Sequence, residues 1–524
     1  CGLAAHGDLR DIENGELEAT HWIESVKLLK LEDPHKPENY GAATVACMGR
    51  IEAIEPNRSN RVFSMAVTAR NAPDFPDLCP DGLPTSWSAA IDEATVSALD
   101  SEGNRRIFVI SGGNVTGDDT DGYKPENYPQ TNHDLAFDDP AHSWNAITVG
   151  AITHYESDLI PTIAEKGALS PSSRTTSKWI ENGGADCPLK PEVVFEGGNV
   201  ATEGSPIRDE LQPISLNHNF LTEPPLRGSN ATSAATALAA RMSAQIHAEF
   251  PDLWPETVRA LLINSARWNS VMRDGVNFDN KGDVTSLVRT YGYGEPNLSR
   301  AISGGKSHAT FFYEEEIQPF HKENGLVKTK EMLYFQMPVP KSVLEGHGNS
   351  KVKLHVTLSY FIEPNPGRRG LAKSKFRYAN CGLRFDLKTA TESIDTFIGN
   401  RSGDVLDKLN KDKGDRGDPA RGWLLGRNNQ GRGSLHHDIW KGRASDLASR
   451  DGIMVYPENG WWRLRKHLKR WDSKQRFSLV VTLEVEDDSI DIYTAVENEV
   501  ENLTVPQRVT DIQSMFETNV EVEL

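Results

Sequence analysis

Ser233 stands where a serine could do chemistry. It lies in Asn230-Ala-Thr-Ser-Ala-Ala-Thr-Ala-Leu-Ala-Ala-Arg241, with small residues on both sides and a helix-forming run directly after it. A serine there faces the positive end of the helix dipole, and small neighbours let a substrate backbone approach closely. The same placement also suits a simple helix cap, so the motif alone leaves nucleophile and cap both open. A second candidate is Asn114, at the end of Ile107-Phe-Val-Ile-Ser-Gly-Gly-Asn114. An Asn amide after a buried strand could donate to a developing oxyanion. A strand followed by a Gly-Asn turn would look the same.

Other chemistry-bearing residues point to less. Five cysteines (Cys1, Cys47, Cys79, Cys187 and Cys381) are widely spaced without a Cys-x-x-Cys pair. They read as reduced thiols of a cytoplasmic protein rather than zinc ligands. Asp118, Asp119 and Asp121 could hold calcium, but an acidic loop is ordinarily just solvated, and no cofactor is expected. His436 and His437 beside Asp438 hint at a metal, yet adjacent histidines rarely converge on one ion. His133, His142, His154 and His218 fall in loops and read as surface residues.

The elements that must position these residues follow from apolar patterning. Strands are expected at Ser25–Leu31, Arg61–Val67, Arg106–Ile110 and Ala146–Gly150, and helices at Ala42–Ile54, Ser86–Leu99, Ala231–Phe250 and Pro255–Ala266. Alternation of this kind predicts a parallel, doubly wound α/β sheet, with the site built by loops after the strands. Residues 111–143 and 153–230 read as those loops. After about residue 300, segments 326–340, 351–362, 380–388 and 476–495 are rich in Val, Leu, Phe, Tyr and Thr. They predict an antiparallel, sandwich-like β domain. The expected organisation is therefore 1–302 and 303–524, with a polar surface insertion near 400–432. Trp461 and Trp462 read as core residues.

Bulk properties exclude some functions. The 524-residue chain carries a net charge of −18, which disfavours nucleic acid as a partner. The basic run Arg463–Arg470 reads as a solvated or docking face. No apolar run approaches the roughly 20 residues of a membrane helix.

Taken together, the two motifs resemble the subtilase family of serine proteases. Thr232, Ser233, Ala235 and Thr236 match its Gly-Thr-Ser-x-Ala-(Thr/Ala)-Pro, and Asn114 its Ala-Gly-Asn. Further landmarks fall in the family's order: Trp144–Ala151, Leu169-Ser-Pro-Ser-Ser-Arg174, Lys190–Val194 with Gly197 and Asn199, and Tyr293-Gly294 before Pro296-Asn297. Two positions depart. Ala231 replaces a Gly, which is tolerable only at negative φ, and Ala237 stands near the place of the Pro.

The resemblance implies an endopeptidase acting on proteins or peptides. Ser233 would be the nucleophile, and Asn114 with the Ser233 N–H would form the oxyanion hole. Ser111, Gly112 and Gly113 would line the pocket for the side chain before the scissile bond. The family's activating His and Asp precede the oxyanion Asn. Cys1-Gly-Leu-Ala-Ala5 is similar to the tail of the His helix, which places both residues before Cys1. His6 is the nearest alternative within the chain, but it opens a polar, turn-like stretch. Without its His, the chain as it stands should have very little peptidase activity. The other reading is a catalytically inactive subtilase scaffold that binds proteins. The whole chain is also similar to bacterial subtilases often encoded beside an AAA-type ATPase, which implies such an ATPase as a partner. Another serine hydrolase would want Gly-x-Ser-x-Gly, and Ala231 and Ala235 argue against it.

Overall fold

A computed structural model describes residues 1–509, except 13–18, 30–34, 57, 59, 70–81, 97–103, 120–122, 180–186, 204–205, 367–377, 400–421, 428, 430, 488, 501–502 and 504–505. The chain forms two compact units, Cys1–Ile302 and Ser303–Leu524.

The first unit is built on a parallel sheet of β1 (Val62–Met65), β2 (Ile107–Ser111), β3 (Ile147–Ile152) and β4 (Val193–Glu196), in that spatial order. Every residue of β2 and β3 is buried, as expected of strands covered on both faces. Its helices are α1 (Gly2–His6), α2 (Tyr40–Ile54), α3 (Ser86–Val96), α4 (Gln130–Asp134), α5 (Ala231–Glu249), α6 (Pro255–Asn264), α7 (Lys281–Tyr291) and α8 (Leu298–Ile302). Met48 of α2 and Trp87, Ile91 and Ala94 of α3 pack on Met65, Phe108 and Ile110. The Ala-rich α5 runs against all four strands, its small side chains allowing close approach. A short hairpin, β5 (Ile214–Leu216) and β6 (Leu226–Gly228), leads into α5.

Three expectations for this unit need correction. Residues 22–29 belong to no strand or ladder, and residues 30 and 31 lie outside the described residues. Residues 22–26 and 28 line a cavity instead. Val193–Glu196 is a core strand, not part of a loop, because Val193 and Val194 are fully buried. His142 is no surface residue: it is 1% exposed and stacks on Trp179 with ring centroids 5.1 Å apart.

The second unit holds two antiparallel sheets, plus the hairpin β8 (Phe320–Glu323) and β9 (Leu326–Thr329). One sheet has the order β13 (Leu435–Arg443), β11 (Lys351–Ser359), β15 (Gln475–Val485), β7 (His308–Ile317). The other has the order β12 (Gly382–Leu387), β14 (Gly452–Glu458), β10 (Met332–Gln336), β16 (Gln507–Val509). Phe335 of β10 meets Phe477 of β15 edge-on and Tyr313 of β7 at 4.8 Å, joining the two sheets. The expected strand over 476–495 is shorter, since Ile492–Val500 is a helix. Most of the polar insertion lies outside the described residues. Its Trp423, Leu424 and Leu425 are buried rather than on the surface, with Trp423 bridged to Trp440. Trp461 and Trp462 are buried in a cluster with Phe320 and Cys381. His436 and His437 are buried and engaged by Tyr360 and Thr357. No helix among the described residues is long and apolar enough to cross a membrane.

Candidate active site

The start of α5 and the end of β2 meet. Helix α5 begins at Ala231 after Asn230, so Ser233 is its third residue and does not occupy the cap position. Its backbone N–H belongs to the first-turn donors that a helix leaves without an intrahelical acceptor. Among the described residues, no histidine or carboxylate hydrogen-bonds the Ser233 hydroxyl. Asn114 follows β2 after Gly112 and Gly113. Its Oδ1 accepts from Thr232 N at 3.1 Å and from Thr232 Oγ1 at 2.5 Å. With Oδ1 committed to the residue before Ser233, the amide's donor end is turned away from Thr232.

Ala231 departs from expectation. Its φ is +60°, the left-handed region that favours glycine, whereas tolerance of Ala required a negative φ. The cause is tertiary. Ala231 N–H donates to Gly197 O at 2.7 Å, while a Cβ on Gly197 would lie 2.9 Å from Ala231 O and 2.5 Å from Ala151 Cβ. The residue after β4 thus lies against the turn into α5 and accepts its first N–H, and only a glycine fits at 197.

Ser111, Gly112 and Gly113 are buried beside Asn114. A Cβ on Gly112 would lie 2.5 Å from the Phe137 ring, and one on Gly113, whose φ is +99°, 2.5 Å from Asp138 Oδ2. These glycines make room for residues 137 and 138. None of the three lines the large cavity described next. Of the acidic trio, Asp119 Oδ2 accepts from Thr116 N and Oγ1, and Asp121 lies outside the described residues. No cluster of three metal-ligating side chains occurs among the described residues.

Ser233 opens onto a cavity of about 920 Å³. Its lining comes from residues 22–26 and Leu28, from β1, and from α2 and α5. Along α5 the lining runs from Ser233 through Ala237, Ala240 and Ala244 to Ala248. That is roughly 22 Å at about 1.5 Å per residue, the length of about six or seven strand residues. Glu24 bonds Arg61 at 2.7 Å on one side of this space. His21 lines it too, but its ring nitrogens meet Ala4 O at 2.8 Å and Thr20 Oγ1 at 2.9 Å. His6 sits on α1, which packs against α5. Farther off, His154 Nε2 pairs with Glu295 at 2.9 Å and His133 with Ser177.

One residue that sequence reasoning quoted without assigning a role also reaches this site. Arg174 Nε donates to Asn114 O at 2.9 Å. Its only signal in the sequence was its place in the Leu169–Arg174 landmark.

Comparison with known proteins adds to this geometry. The uncharacterised protein y4bN of Sinorhizobium fredii (strain NBRC 101917 / NGR234) is 27% identical over 360 residues, which are 65% of this chain and 75% of that one. Among solved structures, MycP1 from the ESX-1 type VII secretion system is 16% identical, covering 52% of this chain, with a TM-score of 0.28. The chain spans 60% of the length of MycP1. A lanthipeptide protease is 16% identical, covering 53% of this chain and 68% of its own, with a TM-score of 0.31. Residues 1–294, which hold both Asn114 and Ser233, match the subtilase family. With more than half its length inside that match, the chain belongs to the subtilase family of serine proteases.

Proposed function

We propose that the protein is a serine endopeptidase that cleaves peptide bonds with Ser233 as nucleophile. The observation that carries this reading is the pair of bonds from Thr232 to Asn114 Oδ1, which fixes the amide next to the serine. Ser233 Oγ attacks the scissile carbonyl carbon and gives its proton to a histidine. Asn114 Nδ2 and the Ser233 N–H hold the resulting oxyanion. Collapse expels the amine, which takes the proton back, and water then hydrolyses the acyl-enzyme.

The histidine and the aspartate that orients it come from a segment outside this sequence. That segment seats in the cavity at Ser233, whose dimensions suit an extended strand beside β1. A fluorophosphonate probe should therefore label Ser233 of the full-length protein. Ser233→Ala should abolish the labelling and casein hydrolysis, and the chain of 524 residues alone should label at least 100-fold more slowly. Asn114→Ala should lower kcat by about 10²–10³-fold.

The strained Ala231, where the family carries Gly, favours a second reading, an inactive protein-binding scaffold. Full-length protein that neither labels nor hydrolyses casein would select it. The AAA-type ATPase partner is a separate proposal, tested by co-purification of full-length protein with that ATPase.

A further inference from the structure

We infer that Arg174 is a positioning residue that holds Asn114 in register with Ser233. This rests on the proposed oxyanion role of Asn114.

Residues 172–174 run antiparallel to 113–115. Val115 N–H donates to Ser172 O at 3.0 Å, Asn114 and Ser173 form a bridge, and Arg174 N–H reaches Gly113 O at 3.4 Å. The Arg174 side chain then folds back against the same loop. Its Nε donates to Asn114 O at 2.9 Å, and its Nη1 donates to Ala136 O at 3.0 Å and Asp138 Oδ1 at 2.9 Å. Asp138 in turn lies against Gly113, and its N–H donates to Gly112 O at 3.0 Å.

Asn114 is therefore held at two ends. Thr232 fixes its side-chain oxygen, and Arg174 fixes its main-chain oxygen. Arg174 is buried, 8% exposed, and a buried cation is tolerable only with its acceptors in place. Those acceptors include one carboxylate and two carbonyls on two different segments. A planar fork meets three acceptors at fixed angles, which a lysine ammonium cannot do. Oxyanion stabilisation depends on a donor placed in advance, so a small shift of the Asn114 main chain is paid in kcat rather than in substrate affinity.

The test is a double-mutant cycle on the full-length protein, with a peptide-amide substrate and kcat normalised to sites titrated by fluorophosphonate. Arg174→Lys keeps the charge beside Asp138 and should lower kcat about 10–100-fold, with KM changed less than twofold. In an Asn114→Ala background the same substitution should lower kcat less than twofold further, because its effect passes through Asn114. If Arg174→Lys fails to fold, Arg174→Gln serves the same cycle with a neutral donor. Equal losses in both backgrounds, or an unchanged kcat in the parent background, overturn the inference. If Asn114→Ala itself leaves kcat unchanged, or no turnover occurs at all, the oxyanion reading fails and this inference falls with it.

Discussion

Ala231 bears a cost that its neighbours in the sequence do not announce. An L-residue held near φ +60° gives up about 1–2 kcal/mol, and glycine recovers most of this against a loss of about 0.5–1 kcal/mol in chain entropy. Ala231→Gly should therefore raise stability in urea by about 0.5–1 kcal/mol, and Ala231→Val should lower it. A loss on Ala231→Gly would mean that the left-handed turn is not held in solution. The sequence displayed the missing glycine but not the φ, which goes with a tertiary bond from Ala231 N–H to Gly197 O. Ser233 and Asn114 could be singled out as candidates for the opposite reason: each sits in a local motif whose neighbours carry the resemblance. The contacts of Arg174 depend on three segments meeting and could not be read locally. His142 shows the same limit. Its loop-like surroundings suggested exposure, yet burial under Trp179 lowers its pKa to about 3, while burial raises that of Asp139, 3.9 Å away, to about 7. His142 is neutral when folded and takes up a proton when unfolded below its ordinary 6.5, so its contribution is present above that pH and is lost as pH falls towards 3. Asp139 has the opposite sign, since its contribution is present below 3.8 and is lost as pH rises through 7. The two slopes offset between about pH 4 and 6.5. His142→Phe keeps a ring on Trp179 and removes one slope. Relative to the parent, its unfolding free energy should fall by about 1.4 kcal/mol per pH unit across that window. Parallel curves would show that His142 does not titrate this way.

At the scale of elements, strand β1 and helix α5 frame the cavity at Ser233. Most of the sheet was legible in the sequence: β1, β2 and β3 fall within a few residues of their apolar runs, as do α2, α3, α5 and α6. Residues 22–29 were not, because apolar patterning reports a tendency to extend, whereas a strand also needs a partner. Here residues of β1, the edge strand beside β2, and residues 22–26 and 28 line the same cavity without pairing. Parallel strands are ordinarily buried on both faces, and α2 and α5 already supply those faces. Ala237, one turn beyond Ser233 on the same face of α5, is the small residue that keeps the space open. Ala237→Leu should leave the 524-residue chain folded, its thermal midpoint within about 3 °C of the parent, since the added atoms enter open space. In the full-length protein the same substitution should cut fluorophosphonate labelling of Ser233 more than 10-fold, because the leucine takes the place of the seated segment. Normal labelling would sink the proposed seat while leaving the role of Ser233 intact.

At the scale of the whole molecule, the two units carry different kinds of order. The first is a parallel sheet with a cavity beside it. The second is antiparallel, with nine-residue pairing between β11 and β13 and long pairing between β15 and β7. Its change of character near residue 300 was legible because alternating Val, Leu and Thr replace the helical runs. Strands β7, β13 and β14 were missed, since glutamates, histidines and a proline interrupt their apolar pattern. Within this unit, Met332, Tyr334, Phe397 and Met454 form one apolar cluster, and Phe320, Cys381, Trp461 and Trp462 another. Sheets of this length with cores of their own should not need the first unit in order to fold. Residues 303–524 expressed alone should therefore give a single sigmoidal urea transition. The near-UV circular dichroism should be strong, because Trp440, Trp461 and Trp462 are buried at 3% exposure or less. Retained far-UV signal with a featureless near-UV spectrum would describe a loosely packed state. That outcome would show that the packing of 303–524 depends on residues 1–302.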